Sequence, residues 1–172
     1  MHSDFDFDVY LRMSVGRLTA YCAAIVGSAD AEDAAQEAFL RLYANLYRIT
    51  DERAATAFLY RTAYRLSIDI LRARRRFREI ETQAPQNDSL SDRMQNALMK
   101  LKPLDRSVIY LRVVEEFGYD EIAARFGKNE AWARKRYSIA RKRLEAAYAE
   151  LRCTSWKGDS LYHERSEHHT GI

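Results

Sequence analysis

Apolar residues in this chain recur at intervals of three and four, and little interrupts them. Leu11, Val15, Leu18, Cys22 and Ile25 form one stripe; Ala35, Phe39, Leu42 and Leu46 a second; Leu59, Ala63, Leu66 and Ile70 a third. Such spacing puts each set on one face of an α-helix. Six Gly and two Pro in 172 residues are too few for a turn-rich β-sandwich or barrel. The expected fold class is all-α. No apolar run approaches the ~18 residues of a membrane span. The first residues, MHSDFDFD, are acidic and lack the basic segment of a signal peptide. A soluble, cytoplasmic chain with no direct membrane insertion is therefore expected. Cys22 and Cys153 make no disulfide framework.

Punctuation residues divide the stripes. The first helix spans residues 5 to about 27, where Gly27 and Ser28 end it. Asp30 suits an N-cap, with Glu32 and Asp33 in the first turn of a helix reaching about residue 48. Thr50, Asp51 and Glu52 break the pattern before a third helix over about 53–78. Residues 82–96 are polar, contain Pro85 and read as the linker. Beyond it, Pro103 suits the first position of a helix carrying Leu104, Val108, Leu111 and Val114 inward, with Gly118 as its cap. A short helix over 120–126 follows, then a turn at Gly127, Lys128 and Asn129. Asn129 caps a last helix reaching about residue 151. The expected organisation is a domain over 1–81, a linker over 82–96, a domain over 97–152 and a tail over 153–172.

Charge is segregated along this framework. Residues 1–52 carry four Arg against nine acids, whereas residues 53–81 carry eight Arg against three. Residues 97–152 carry thirteen cations against eight acids. The net charge of +3 hides this division, and 22 of the 28 cations are Arg. Arg forks onto phosphates and guanine edges and stacks on bases. Two basic segments behind an acidic one point to nucleic acid on two surfaces and another partner on the third.

Three candidate surfaces follow. A short helix, a Gly-containing turn and a basic helix make a helix-turn-helix pattern. On its second helix Ala131, Arg134, Lys135, Ser138 and Lys142 share the face suited to a major groove, while Ala133, Tyr137, Ala140 and Leu144 pack inward. On the third helix Arg61, Arg65, Arg72 and Arg76 line one side with Tyr60 and Tyr64 beside them. Aromatic rings that stack on bases while Arg holds the backbone suit single-stranded DNA. On the second helix Asp33, Gln36 and Glu37 face away from the apolar stripe and suit a basic protein surface.

Enzymatic readings find no support. There is no Gly-rich phosphate loop, no H-E-x-x-H and no C-x-x-C, so no catalytic residues, cofactor or metal are expected. Cys153, His163, His168 and His169 are zinc-competent types, but their spacing matches no ligand pattern. The competing class is a helix-turn-helix regulator acting by occupancy, which would leave the acidic face idle and would bind symmetric sites as a dimer.

The order of the pieces resembles one family. DAEDAAQEAFLRLY (30–43) is similar to region 2.2 of bacterial sigma factors, and AFLYRTAYRLSIDILRARRR (57–76) to regions 2.3 and 2.4. The stretch from Leu101 to Leu144 resembles region 4. The resemblance spans about residues 8–148 and leaves no room for regions 1.1, 1.2 or a full region 3. That economy resembles the extracytoplasmic-function (ECF) group of the sigma-70 family. It implies a region 2-like three-helix bundle and a region 4-like helix-turn-helix domain joined by the polar linker.

The resemblance also implies roles. Asp33, Gln36 and Glu37 would dock on the β′ clamp helices of core RNA polymerase, with the β flap as a further polymerase contact. Tyr60, Arg61, Tyr64, Arg65, Arg72 and Arg76, with the loop of residues 49–56, would capture the −10 element and its flipped base. Ala131, Arg134, Lys135, Ser138 and Lys142 would read the −35 element. An anti-sigma factor is an implied partner. Opening duplex costs about 1.4 kcal/mol per stacked step, so a ten-step bubble costs on the order of 10 kcal/mol or more. Each base captured on an aromatic ring returns about 1–3 kcal/mol. Polymerase must therefore supply most of the binding surface. Phe58 stands where the family often has Trp, Arg65 where it often has Asn, and Trp132 where it usually has Thr. Lys128 stands at a usually apolar position and Ile139 at one that is frequently Arg.

Overall fold

The computed structural model describes the backbone of residues 6–77 and 90–163, and the side chains of 6–76 and 93–151. Every regular element among them is helical: α1 (Phe7–Val26), α2 (Ala31–Ala44), α3 (Glu52–Phe77), α4 (Leu90–Lys100), α5 (Pro103–Val113), α6 (Tyr119–Phe126) and α7 (Glu130–His163). The all-α expectation holds. Among the described residues, no helix is long and apolar enough to cross a membrane.

Local chemistry explains most of the boundaries. The Asp6 carboxylate accepts the Asp8 and Val9 amides at the start of α1. Gly27 ends that helix at φ 87°, in a region that L side chains rarely adopt. Asp51 caps α3 by accepting the Ala54 amide at 2.8 Å. Pro103 occupies the first turn of α5, as its fixed φ favours. Gly127, in the left-handed conformation, closes α6, and the Asn129 side chain accepts the Trp132 amide at 2.9 Å.

Four expectations are corrected. Val114, expected to face inward, is 57% exposed just past the end of α5. Asp30 makes no side-chain cap to α2; its carboxylate is taken by Arg74 of α3, which also donates to the Val26 carbonyl. Gly118 does not end α5. The left-handed residue there is Glu116, and Gly118 instead starts α6, with its amide held by the Glu121 carboxylate. Residues 90–96, expected as linker, form the first turns of α4, while 82–89 lie outside the described residues. Met94 and Leu98, four residues apart, supply apolar side chains to a groove shared with α5 and α7. The backbone of α7 also runs past residue 151 to His163. His168 and His169 lie outside the described residues, as do the side chains of Cys153 and His163.

Helices α1, α2 and α3 form one bundle around Leu18, Cys22, Ile25, Leu42 and Leu59, all fully buried. Helices α4 to α7 form a second group. Its strongest polar anchor is Asp105 at the start of α5, with no exposed surface. The Asp105 carboxylate pairs with Arg136 at 2.7 Å and Arg143 at 2.6 Å, fixing α7 against α5. The two groups are not separate bodies. One core cluster runs from Leu18 and Tyr21 through Tyr60 to Val108, Leu111 and Ile122. Helix α1 packs on α5, and α3 on α6.

Candidate functional site

The acidic face is where α2 was expected to present it. Asp33 and Gln36 are exposed; Glu37 is half-buried and accepts from Arg41 at 2.8 Å, one turn on. Beside these polar groups lies an apolar groove of about 570 Å³ between α1 and α2. Phe7, Leu11 and Val15 line it from one side, and Phe39, Leu40 and Tyr43 from the other. Leu40 and Tyr43 are 57% and 63% exposed, large values for such residues. Sequence reasoning missed this groove. The available signal was a second set of large apolar residues on α2, offset from its buried stripe.

The Arg face of α3 also forms. Arg61, Arg65, Arg72 and Arg76 are all exposed, spaced to share one side of the helix. Arg72 is tied to Asp69 at 3.3 Å. At the start of this stripe a pocket of about 390 Å³ opens among Asn45, Arg48, Ile49, Ala54, Phe58 and Arg61. It offers an aromatic wall, an amide and two guanidinium groups, a set suited to a planar, hydrogen-bonding ring beside a phosphate. Sequence reasoning named the 49–56 loop but not Asn45 or Arg48, which belong to the preceding turn.

The two tyrosines are not free beside this stripe. Tyr60 is only 4% exposed; its ring meets Phe117 edge-on at 5.5 Å and Tyr21 at 5.0 Å. Burial, and then the neighbouring Glu115 carboxylate, push the Tyr60 phenol well above its ordinary range. Tyr64 is half-buried against Phe126, with ring centroids 5.1 Å apart. The sequence pattern could not show this, because the covering residues come from the other half of the chain.

On α7, Ala131, Arg134, Lys135, Ser138 and Lys142 are all exposed and share a face. Arg134 donates to Glu130 and sits 4.9 Å above the Tyr119 ring. Trp132 turns back onto Phe126 at 5.6 Å. Arg136 and Arg143, on the same basic helix, face Asp105 and serve packing. The five-residue set is thus separated from the structural arginines.

Comparison with known proteins matches both halves. The Sigma-70 region 2 family model covers residues 11–77, and the Sigma-70, region 4 model residues 91–144. The RNA polymerase sigma-E factor of Streptomyces avermitilis is 30% identical over 149 residues, spanning 81% of this chain and 83% of that protein. Its counterpart in Streptomyces coelicolor is 29% identical over 149 residues, spanning 81% and 84%. The ECF RNA polymerase sigma factor SigW of Bacillus subtilis is 27% identical over 124 residues, spanning 59% and 66%. The fold is similar to that of the sigma factor RpoE from Bartonella quintana, solved in complex with the anti-sigma factor NepR. That likeness has a TM-score of 0.71 at 23% identity, over 83% of this chain and 96% of the other.

Proposed function

Because the chain belongs to the ECF group of the sigma-70 family, and so directs transcription initiation at promoters by binding core RNA polymerase, we propose a division of that work among its three faces. Asp33, Gln36 and Glu37, with the apolar groove beside them, dock on the β′ clamp helices. Arg61, Arg65, Arg72 and Arg76, all exposed, hold the −10 strand, and the buried Tyr60 and half-buried Tyr64 pack behind them. Ala131, Arg134, Lys135, Ser138 and Lys142 read the −35 duplex. The β flap docks on the region 4 half. In domain terms, region 2 ends with α3 and region 4 begins with α4.

The observation that carries this reading is the pocket at the start of the Arg stripe. A regulator acting by occupancy binds paired DNA and has no use for a pocket with an aromatic wall beside single-strand cations. A promoter-opening factor needs one, since capture of an extruded base offsets part of the cost of melting. By analogy with the Bartonella factor solved with NepR, an anti-sigma factor is the expected inhibitory partner. The chain acts without chemistry of its own, inside the cytoplasm where polymerase works.

The test is to mix the purified chain with bacterial core polymerase lacking sigma and run size exclusion, then transcribe a genomic fragment library. A one-to-one complex that initiates at defined start sites is expected. A folded chain that neither co-elutes nor supports initiation overturns the reading. Dimers on palindromic duplex would then favour the occupancy regulator.

A further inference from the structure

We propose that Tyr47 is a stacking platform for the base next to the one captured in the pocket beside Arg61, so that the turn between α2 and α3 holds two consecutive bases of the opened −10 strand. The proposal rests on the −10 role given to that pocket above. Tyr47 is 81% exposed, the most exposed large apolar side chain among the described residues. Its backbone is nonetheless fixed, in the short 3-10 turn Leu46–Arg48. The Arg48 amide donates to the Asn45 carbonyl at 2.9 Å and the Ile49 amide to the Leu46 carbonyl at 3.0 Å. The Asn45 side chain in turn donates to the Arg41 carbonyl at 2.8 Å. A tyrosine has only two side-chain torsions to order, so a ring on a rigid turn meets a ligand at little entropic cost. The Arg48 guanidinium lies 5.9 Å from the Tyr47 ring centroid, and Arg48 also lines the pocket with Phe58 and Arg61. One guanidinium thus borders both the ring and the pocket.

This arrangement suits two adjoining nucleotides. A base extruded into the pocket leaves its neighbour with one face bare to water. The Tyr47 ring covers that face, while Arg48 pairs with the phosphate that joins the two nucleotides. Hydrogen bonds inside the pocket select one base. Stacking on Tyr47 tolerates any base, because each has a π-face. The competing role for Tyr47 is protein docking, since Leu40, Tyr43 and Tyr47 follow at helical spacing. However, α2 ends at Ala44, and the 3-10 turn takes Tyr47 out of the register of the other two. Tyr43 meets Phe7 at 5.4 Å and lines the α1–α2 groove, whereas Tyr47 is not among the walls of that groove.

The test uses core polymerase saturated with the full chain. Its probe is a fluorescein-labelled single strand carrying the −10 sequence of a promoter mapped with that holoenzyme. Companion strands carry a scrambled sequence, single base changes, or one abasic nucleotide at each position in turn. Tyr47→Ala should weaken the intact strand by about fivefold or more. It should cost nothing on the strand that is abasic at one position, and that position should lie next to the one where base identity matters most. Tyr47→Phe should bind as the parent does. Thermal melts should match, since the side chain is exposed. An equal loss on every abasic strand, or coupling to the selective position itself, overturns the proposal. So does a Tyr47→Phe that behaves as Tyr47→Ala. A Tyr47→Ala that weakens co-elution with core polymerase and leaves strand binding unchanged assigns the ring to docking and overturns it as well. A parent holoenzyme with no preference for the −10 strand over the scrambled one overturns the −10 role of the pocket, and that of Tyr47 with it. A clear preference without coupling to Tyr47 overturns the stacking alone.

Discussion

The Tyr21 hydroxyl on α1 and the Ser107 hydroxyl on α5 lie 2.6 Å apart, both fully buried, although 86 residues separate them. The pair is the polar centre of the seam between the two groups of helices, flanked by the Tyr60 and Tyr110 rings at 5.0 and 5.6 Å. Removing one partner strands the other without water. Tyr21→Phe should therefore destabilise the chain by about 1–3 kcal/mol. Urea denaturation checks this, and the double change Tyr21→Phe with Ser107→Ala should lose less than the sum of the single changes. Additive losses would mean that the bond contributes nothing.

Asp105 is the corresponding hinge-pin of the region 4 half. A carboxylate with no exposed surface is tolerated because Arg136 and Arg143 close on it from α7. Asp105→Asn keeps the shape but leaves two arginines without their counter-charge. The expected cost is about 3–5 kcal/mol, the range for breaking a buried pair from one side. Arg143→Ala should cost less, since that side chain is half exposed. A thermal melt of each variant gives the order, and a reversed order would reassign the anchor to Arg143.

Much of this architecture was legible in the sequence because it is periodic. The stripes at Leu18, Cys22 and Ile25 and at Leu59 and Ala63 are buried as their spacing requires. Asn129 and Pro103 act by local chemistry that a sequence displays. What escaped was nonlocal. Asp30 reads as a cap until Arg74 arrives from 44 residues away. Tyr60 and Tyr64 read as free stacking platforms until Phe117 and Phe126 cover them. The α1–α2 groove escaped for a related reason. Val15 fits the α1 stripe by spacing yet is 46% exposed, on the wall of that groove.

Stability should fall on the alkaline side. Burial holds the Cys22 thiol up at about 12 against an ordinary 9.0. Burial also raises the phenols of Tyr10, Tyr21, Tyr60, Tyr64 and Tyr110. Above pH 9 the unfolded chain releases protons that the folded chain keeps, so the unfolded state gains. The contribution of these groups is complete below pH 9 and is lost as pH rises through the folded values. Urea midpoints measured from pH 8 upward should be level and then decline, and Cys22→Ala should delay the first part of the decline. A midpoint independent of pH would contradict the burial of these groups.

The α2 face should tolerate substitution without loss of fold and fail in docking. Asp33, Gln36 and Leu40 are exposed and Glu37 is half-buried, so Asp33→Lys with Glu37→Lys, or Leu40→Arg alone, leaves the bundle intact. Polymerase binding should weaken by at least about thirtyfold, as for a residue central to an interface. Co-elution with core polymerase and circular dichroism separate the two effects. Full retention of binding by both variants would place the clamp contact elsewhere.

Arg134 is the sharpest test of the α7 reading, because in the free chain it is already engaged. It donates to Glu130 and lies over Tyr119, and it must leave both to reach a base edge. The new contact is therefore partly offset by the old ones. Arg134→Ala should weaken −35 binding by about 1–3 kcal/mol and relax preference at one position of the element. Glu130→Gln, which removes the competing carboxylate, should strengthen binding without changing that preference. Fluorescence anisotropy against a set of singly substituted −35 duplexes reads both effects. An equal loss for Arg134→Ala on every duplex would make Arg134 a phosphate contact, and the base reading would then fall to Lys135 and Ser138 on the same face.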